Sequence, residues 1–245
     1  MTTVLTLHRV VDACTRDHDV TKEAFRRLVD LLAPTPQADL RAPGPPGTVS
    51  ITFDDGTEDH LWAAQELANV GLSATFFVSA SLVGAPGRLD EDDIRALAAM
   101  GHRVGSHAVN HRPLRSLAAE ELRHEVRDSR VRLEQISGAP VVMFAPPGGI
   151  GHPDLVPMLR SEGYEACRLT RWGLYRDRER RWAIPCVPVT EFTWRRGWVS
   201  HAVTHDSLPV GMMAARLAKS ALPDRLARSI RTTLRIAGSR SDSNH

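Results

Sequence analysis

Apolar residues recur along this chain at two alternating spacings. Short runs rich in β-branched and aromatic residues read as buried strands: Val4 to Leu7, Thr48 to Ile51, Ala74 to Val78, His102 to Gly105, Pro140 to Phe144, Tyr164 to Leu169 and Ile184 to Val189. Between them, apolar positions fall every three or four residues, as an amphipathic helix requires. Thr21 reads as the N-cap of the first helix, whose inward face is Ala24, Phe25, Leu28, Leu31 and Leu32. A second helix runs from Glu58 to Val70 and closes at Gly71. Asp90 and Asp93 open a third, which continues through Ile94, Leu97 and Ala98 to Gly101. A fourth, Leu117 to Ile136, turns Leu122, Val126, Leu133 and Ile136 inward, and a fifth spans 153–162. Residues 33–47 hold five prolines and two glycines and read as a loop.

Strand followed by helix, repeated, predicts an α/β fold with a parallel sheet and helices outside it. After Trp194 the pattern changes. Residues 209–236 read as two short helices split by Pro223, with a stripe of Leu226, Ile230 and Leu234 flanked by arginines. A solvated helix is favoured there over a membrane-surface or partner-binding one. The last nine residues are polar and expected to be disordered. The expected division is therefore 1–195, a basic helical extension over 196–236 and a tail over 237–245.

Composition narrows the picture a little. With 42% hydrophobic and 24% charged residues, the chain is an ordinary globular one, of a length that suits one α/β barrel-like domain or two small domains. A net charge of +2 gives no reason to expect a nucleic-acid partner. Cys14, Cys167 and Cys186 are odd in number and form no CxxC pair, so neither a disulfide framework nor a thiolate zinc site is suggested. The first residues lack the apolar core of a signal peptide, and a cytoplasmic location is the expectation.

The chemistry gathers around Thr52-Phe53-Asp54-Asp55-Gly56. Two adjacent carboxylates sit at the C-terminal end of a strand, the edge where barrels and doubly wound sheets build active sites. Adjacent residues leave a strand in different directions, so one carboxylate can bind a cation while the other handles a proton. An ordinary Asp-Gly turn is the plainer alternative. His107 and His111 stand four apart, so one helical turn would bring both imidazoles to one side, a metal-ligand spacing. Two histidines lining a loop is the alternative. Ala108 stands where a zinc protease would need glutamate. One aspartate and two histidines supply three ligands to a divalent ion and leave a fourth position for water, as in catalytic zinc sites. An amide or ester carbonyl is the substrate such a site suits.

Thr-Phe-Asp-Asp-Gly, then Gly-Ser-His-x3-His, then Phe-x-Pro-Pro-x-Gly, in this order, resemble the motifs of the polysaccharide deacetylase family (the NodB-homology domain, carbohydrate esterase family 4). The resemblance covers about residues 48–190. It implies a distorted (β/α)7 barrel and metal-dependent removal of acetyl groups from N-acetylated sugars in a glycan or glycoconjugate. By that match Asp55, His107 and His111 hold the metal, zinc first with Co2+, Mn2+ or Ni2+ as alternatives. Asp54 is the general base, and Gly148, after Pro147, offers a backbone N–H to the oxyanion.

Two departures stand out. The family's third motif usually begins with an arginine that orients the base; here Ala145 occupies that place, with Arg9, Arg168 and Arg171 as candidate substitutes. The family's C-terminal Leu-x-His motif and the aspartate motif that polarises its histidine are not found either. Leu5-Thr6-Leu7-His8 resembles the N-terminal strand of the circularly permuted exopolysaccharide deacetylases, which makes His8 the expected general acid and His205, after a possible strand at Val199 to Val203, its rival. His60, His102, His124 and His152 read as surface or cap residues. Among Trp172, Trp182, Trp194 and Trp198, one or two are expected in a sugar cleft, and Leu169 or Trp172 beside the acetyl methyl. The readings from other classes are a non-catalytic glycan-binding domain on the same barrel and a deacylase of a non-sugar amide.

Overall fold

The computed structural model describes residues 1–149 and 151–221. The chain divides into two units, Met1–Ser207 and Leu208–His245. In chain order the first comprises β1 (Thr2–Leu7), β2 (Arg9–Val11), β3 (Asp19–Thr21), α1 (Lys22–Leu32), β4 (Thr48–Phe53), α2 (Asp59–Ala68), β5 (Thr75–Val78), α3 (Glu91–Ala99), β6 (Arg103–Ser106), α4 (Ala119–Ser137), β7 (Met143–Phe144), α5 (Leu155–Ser161), β8 (Ala166–Trp172), β9 (Ile184–Pro188), α6 (Glu191–Arg195) and α7 (Trp198–His205). In the second, α8 covers Val210–Ala221. The expected helix beyond Pro223 and the polar tail lie outside the described residues.

Local chemistry sets the helix starts. The Thr21 hydroxyl accepts from the Ala24 N–H at 3.2 Å, and Asp90 and Asp93 exchange reciprocal capping bonds of 2.8 and 3.0 Å. Seven strands then close into a parallel barrel in the order β1-β4-β5-β6-β7-β8-β9. The N-terminal strand fills the seam: β1 pairs with β4 from Thr2↔Thr48 to Leu7↔Phe53, and with β9 at Leu5↔Val187 and Thr6↔Pro188. The barrel is distorted at β7, a two-residue strand where a longer one was expected. The small parallel sheet of β2 and β3 was not foreseen, since three residues carry too little alternation to read. Val199 to Val203 is helix, not a terminal strand. With β9 already paired to β1, the closed barrel has no free edge to accept another.

Alternation along the strands decides what enters the barrel. Val4, Phe77, Met143, Ala145, Ala166, Ile184 and Cys186 pack together as its interior. On the same faces Thr2 pairs with Thr48 at 2.9 Å and Thr6 with Thr52 at 3.0 Å. Gly105 is required here: a Cβ would meet the Phe77 ring at 2.5 Å. Two steps beyond Thr6 and Thr52 lie His8 and Asp54, two steps beyond Ala166 lies Arg168, and two beyond Gly105 lies His107. The period of two thus delivers all four to the C-terminal mouth.

Two histidines read as surface or cap residues belong to the packing. His102 is buried, its Nε2–H donating to the Ala64 carbonyl at 3.0 Å and its Nδ1 accepting from the Ala74 N–H at 3.1 Å. His60 is fully buried against Phe53 and Phe76. His124 is exposed beside Asp128, and His152 accepts from the Asp154 N–H at 3.0 Å, both as expected.

Candidate active site

The strand ends bring Asp55, His107 and His111 together. One ligand atom from each lies within 4.8 Å of the others. Asp55 Oδ1 is 2.8 Å from His111 Nε2 and 3.4 Å from His107 Nε2. Ligand atoms on a tetrahedral ion with bonds of 2.0–2.1 Å stand about 3.3 Å apart, so the spacing is suitable. The local backbone differs from the expected helical turn. His107 to His111 form a loop in which Ala108 (φ 63°) and His111 (φ 51°) are left-handed, and Asp55 (φ 79°) turns the first motif back toward them. Non-glycine residues hold such angles only where their surroundings fix them.

The donor set fits a cation for a specific reason. His107 Nδ1–H donates to the Ala145 carbonyl at 2.6 Å, so in the neutral ring Nε2 carries the lone pair. That lone pair faces the Asp55 carboxylate, acceptor against acceptor. A divalent ion between them resolves the conflict. With both rings protonated, hydrogen bonds from His107 and His111 outweigh burial, which raises the Asp55 pKa, and hold the carboxyl well below the usual range.

Asp54 is 2% exposed, with a different partner on each oxygen. The Arg168 guanidinium donates to Oδ1. Oδ2 lies 3.9 Å from His8 Nε2. Burial pushes the Asp54 pKa up, yet Arg168, then His107 and His8, keep it below the ordinary carboxylate value. Of the three candidate substitutes for the motif arginine, the structure selects Arg168. Arg9 faces Asp19 at 3.4 Å and Arg171 is exposed. The register Met143↔Ala166, Phe144↔Cys167, carried one residue further, sets Arg168 beside Ala145. The alanine methyl leaves room for a guanidinium from the neighbouring strand, which lies 5.2 Å over the Phe77 ring.

His8 is held from behind by the start of α2. His60 Nε2–H donates to the His8 carbonyl, and Asp59 accepts the Val10 N–H at 2.6 Å. The His18 ring stacks on His8 at 4.7 Å. Burial lowers the His8 pKa, with Asp54 and Asp55 opposing. His205, the rival, ends α7, is exposed, and accepts from or donates to Thr204 at 2.6 Å. Pro147 is buried in the loop after β7, and Gly148 follows at φ 68°. Its N–H has no partner among the described residues and is available to a ligand. Of the tryptophans, Trp172 ends β8 on the mouth side, whereas Trp182 is stacked with Arg160 and Arg181, and Trp198 packs on Phe192.

The family model for polysaccharide deacetylase matches residues 41–167. Arg168 lies one residue beyond that span, and His8 lies well before its start. The chain is 27% identical over 159 residues to the peptidoglycan-N-acetylglucosamine deacetylase of Bacillus cereus, a match covering 64% of this chain and 70% of that one. It is 35% identical over 126 residues to a gellan lyase of a Bacillus species, covering 51% of this chain but 5% of the lyase. The deacetylase PplD of Streptococcus pyogenes shares the fold, with a TM-score of 0.74 at 17% identity over 81% of this chain and 96% of that one. With the family model spanning just over half its length, the chain belongs to the polysaccharide deacetylase family.

Proposed function

We propose that this protein is a metal-dependent hydrolase that removes acetyl groups from an N-acetylated amino sugar in a glycan or glycoconjugate. One observation carries the reading: three ligand atoms converge at the mouth with an ionised, arginine-held carboxylate on one side and His8 facing that carboxylate. Asp55, His107 and His111 would hold the ion, and two imidazoles with one carboxylate suit zinc. When bound, such an ion polarises the acetyl carbonyl and acidifies water.

The rest is done by the chain. Asp54, fixed by Arg168, takes a proton from the attacking water as its oxygen bonds to the acetyl carbon. The Gly148 N–H faces the developing oxyanion. His8 gives a proton to the nitrogen as the C–N bond breaks, and acetate and amine leave. Half-buried Leu169 and Trp172, on the mouth side of β8, are the side chains proposed beside the acetyl methyl. The non-catalytic alternative was prompted by Ala145 and by the missing aspartate motif, and Arg168 answers the first of these. The N-terminal position of His8 on the seam strand supports the circularly permuted subgroup.

The test is a mass assay of N-acetylglucosamine oligomers and sugar conjugates. Loss of acetyl from the sugar nitrogen, abolished in Asp54→Asn, supports the proposal. No loss from any N-acetylated sugar, with turnover of a non-sugar amide instead, contradicts it.

A further inference from the structure

The loop that carries His107 and His111 is gripped from behind by a carboxylate on α4. We propose that Glu125 is the positioning residue of the metal site: it fixes the loop that presents His111 to Asp55, and so sets the affinity for a divalent ion. The inference rests on reading Asp55, His107 and His111 as the ligands.

Glu125 is fully buried, and each of its oxygens is used twice. Oε2 accepts the backbone N–H groups of Val109 and Asn110 at 2.8 and 2.9 Å. Oε1 accepts from Asn110 Nδ2 at 2.9 Å and Arg112 Nε at 2.8 Å. All four donors lie between or beside the two histidines. The carbonyl side of the loop is held elsewhere: the Ala80 and Ser81 N–H groups donate to Ala108 and Val109, and the Ser79 hydroxyl donates to His107. The Val109 and Asn110 N–H groups have Glu125 as their acceptor. Without it, the N–H groups of half-buried Val109 and exposed Asn110 lose the acceptor that ties them to α4, in a segment that already carries two left-handed non-glycine residues.

Such a loop relaxes by turning Ala108 and His111 toward ordinary angles, which swings the His111 ring away from Asp55. The buried carboxylate is paired with the Arg112 guanidinium, and it needs every one of its four N–H partners to be stable there. Partners that orient metal ligands typically change metal affinity 10- to 100-fold when lost.

The test is competition between the full chain and a chromogenic chelator for Zn2+ and Co2+, with the visible spectrum of the Co2+ form. Glu125→Gln keeps the shape but offers one acceptor oxygen, and its NH2 faces donors. It is expected to weaken both ions about 10- to 100-fold and to change the Co2+ spectrum. Leu133→Ala, on the buried face of the same helix, lowers the melting temperature and is expected to leave affinity and spectrum unchanged. Wild-type affinity and spectrum in Glu125→Gln, or equal loss in Leu133→Ala, overturn the proposal. Should Glu125→Gln not fold, Asn110→Ala/Arg112→Ala, which strips Oε1 of its donors at the loop surface, decides the matter: weakening about tenfold supports the proposal, and unchanged affinity overturns it. A wild-type chain that binds neither ion removes the ligand-set reading instead.

Discussion

Arg168 and Asp54 meet inside the barrel mouth, guanidinium to carboxylate, with side chains 1% and 3% exposed. One residue orients the other at a position almost wholly buried by the surrounding chain. Arg168→Met leaves a buried carboxylate without its cation. The expected loss is about 3–5 kcal/mol of stability, with turnover down about 100-fold or more because Asp54 is no longer held as a base. Urea unfolding and kcat together check this. Near-normal turnover in a folded Arg168→Met chain would show that Asp54 needs no orienting partner.

His8 and His205 part company in the structure. His8 lies 3.9 Å from Asp54, while His205 is exposed on α7 and engaged with Thr204. His8→Ala is expected to lower kcat about 100- to 1,000-fold with metal content unchanged, and His205→Ala to leave kcat within about twofold. The reverse pattern would move the acid role to α7.

Stability is expected to fall as pH drops below about 6.5, with buried histidines responsible. Burial lowers the His102 pKa, and its Nδ1 must stay unprotonated to accept the Ala74 N–H. As pH falls through 6.5, the unfolded chain takes up this proton first, so the unfolded state binds more protons and gains on the folded one. His60, also lowered by burial, acts in the same direction. Urea midpoints from pH 7.5 to 5.5 should therefore decline, and His102→Asn should flatten part of the decline. A variant with the wild-type slope would show that His102 does not contribute.

The strands of the barrel were legible because apolar runs marked them, while Asp54, His8 and the other motif residues were singled out by their resemblance to the family's motifs. The step of two that carries Asp54 and His8 to the interior faces is seen in the structure. The local form of the second motif was not legible. His107 and His111 converge through left-handed Ala108 and His111, although a spacing of four suggests a helical turn. Among the arginines, alternation separates Arg168 from Arg171 but does not say which face is inside, and a register shift in β8 follows Arg168 directly. His60 and His102 were misread because a histidine satisfied by backbone groups looks, in sequence, like any polar residue. Glu125 left a trace: it lies between Leu122 and Val126 on the inward stripe of α4, where a carboxylate needs partners.

The central claim is that Asp55, His107 and His111 share one cation. Metal analysis after equilibration with Zn2+ and removal of free ion tests it most directly, on the wild-type chain beside Asp55→Ala and His111→Ala. The account predicts a single equivalent retained by wild type and less than about a tenth of that by either variant. A wild-type chain that retains no ion, or variants that retain as much as wild type, would contradict it.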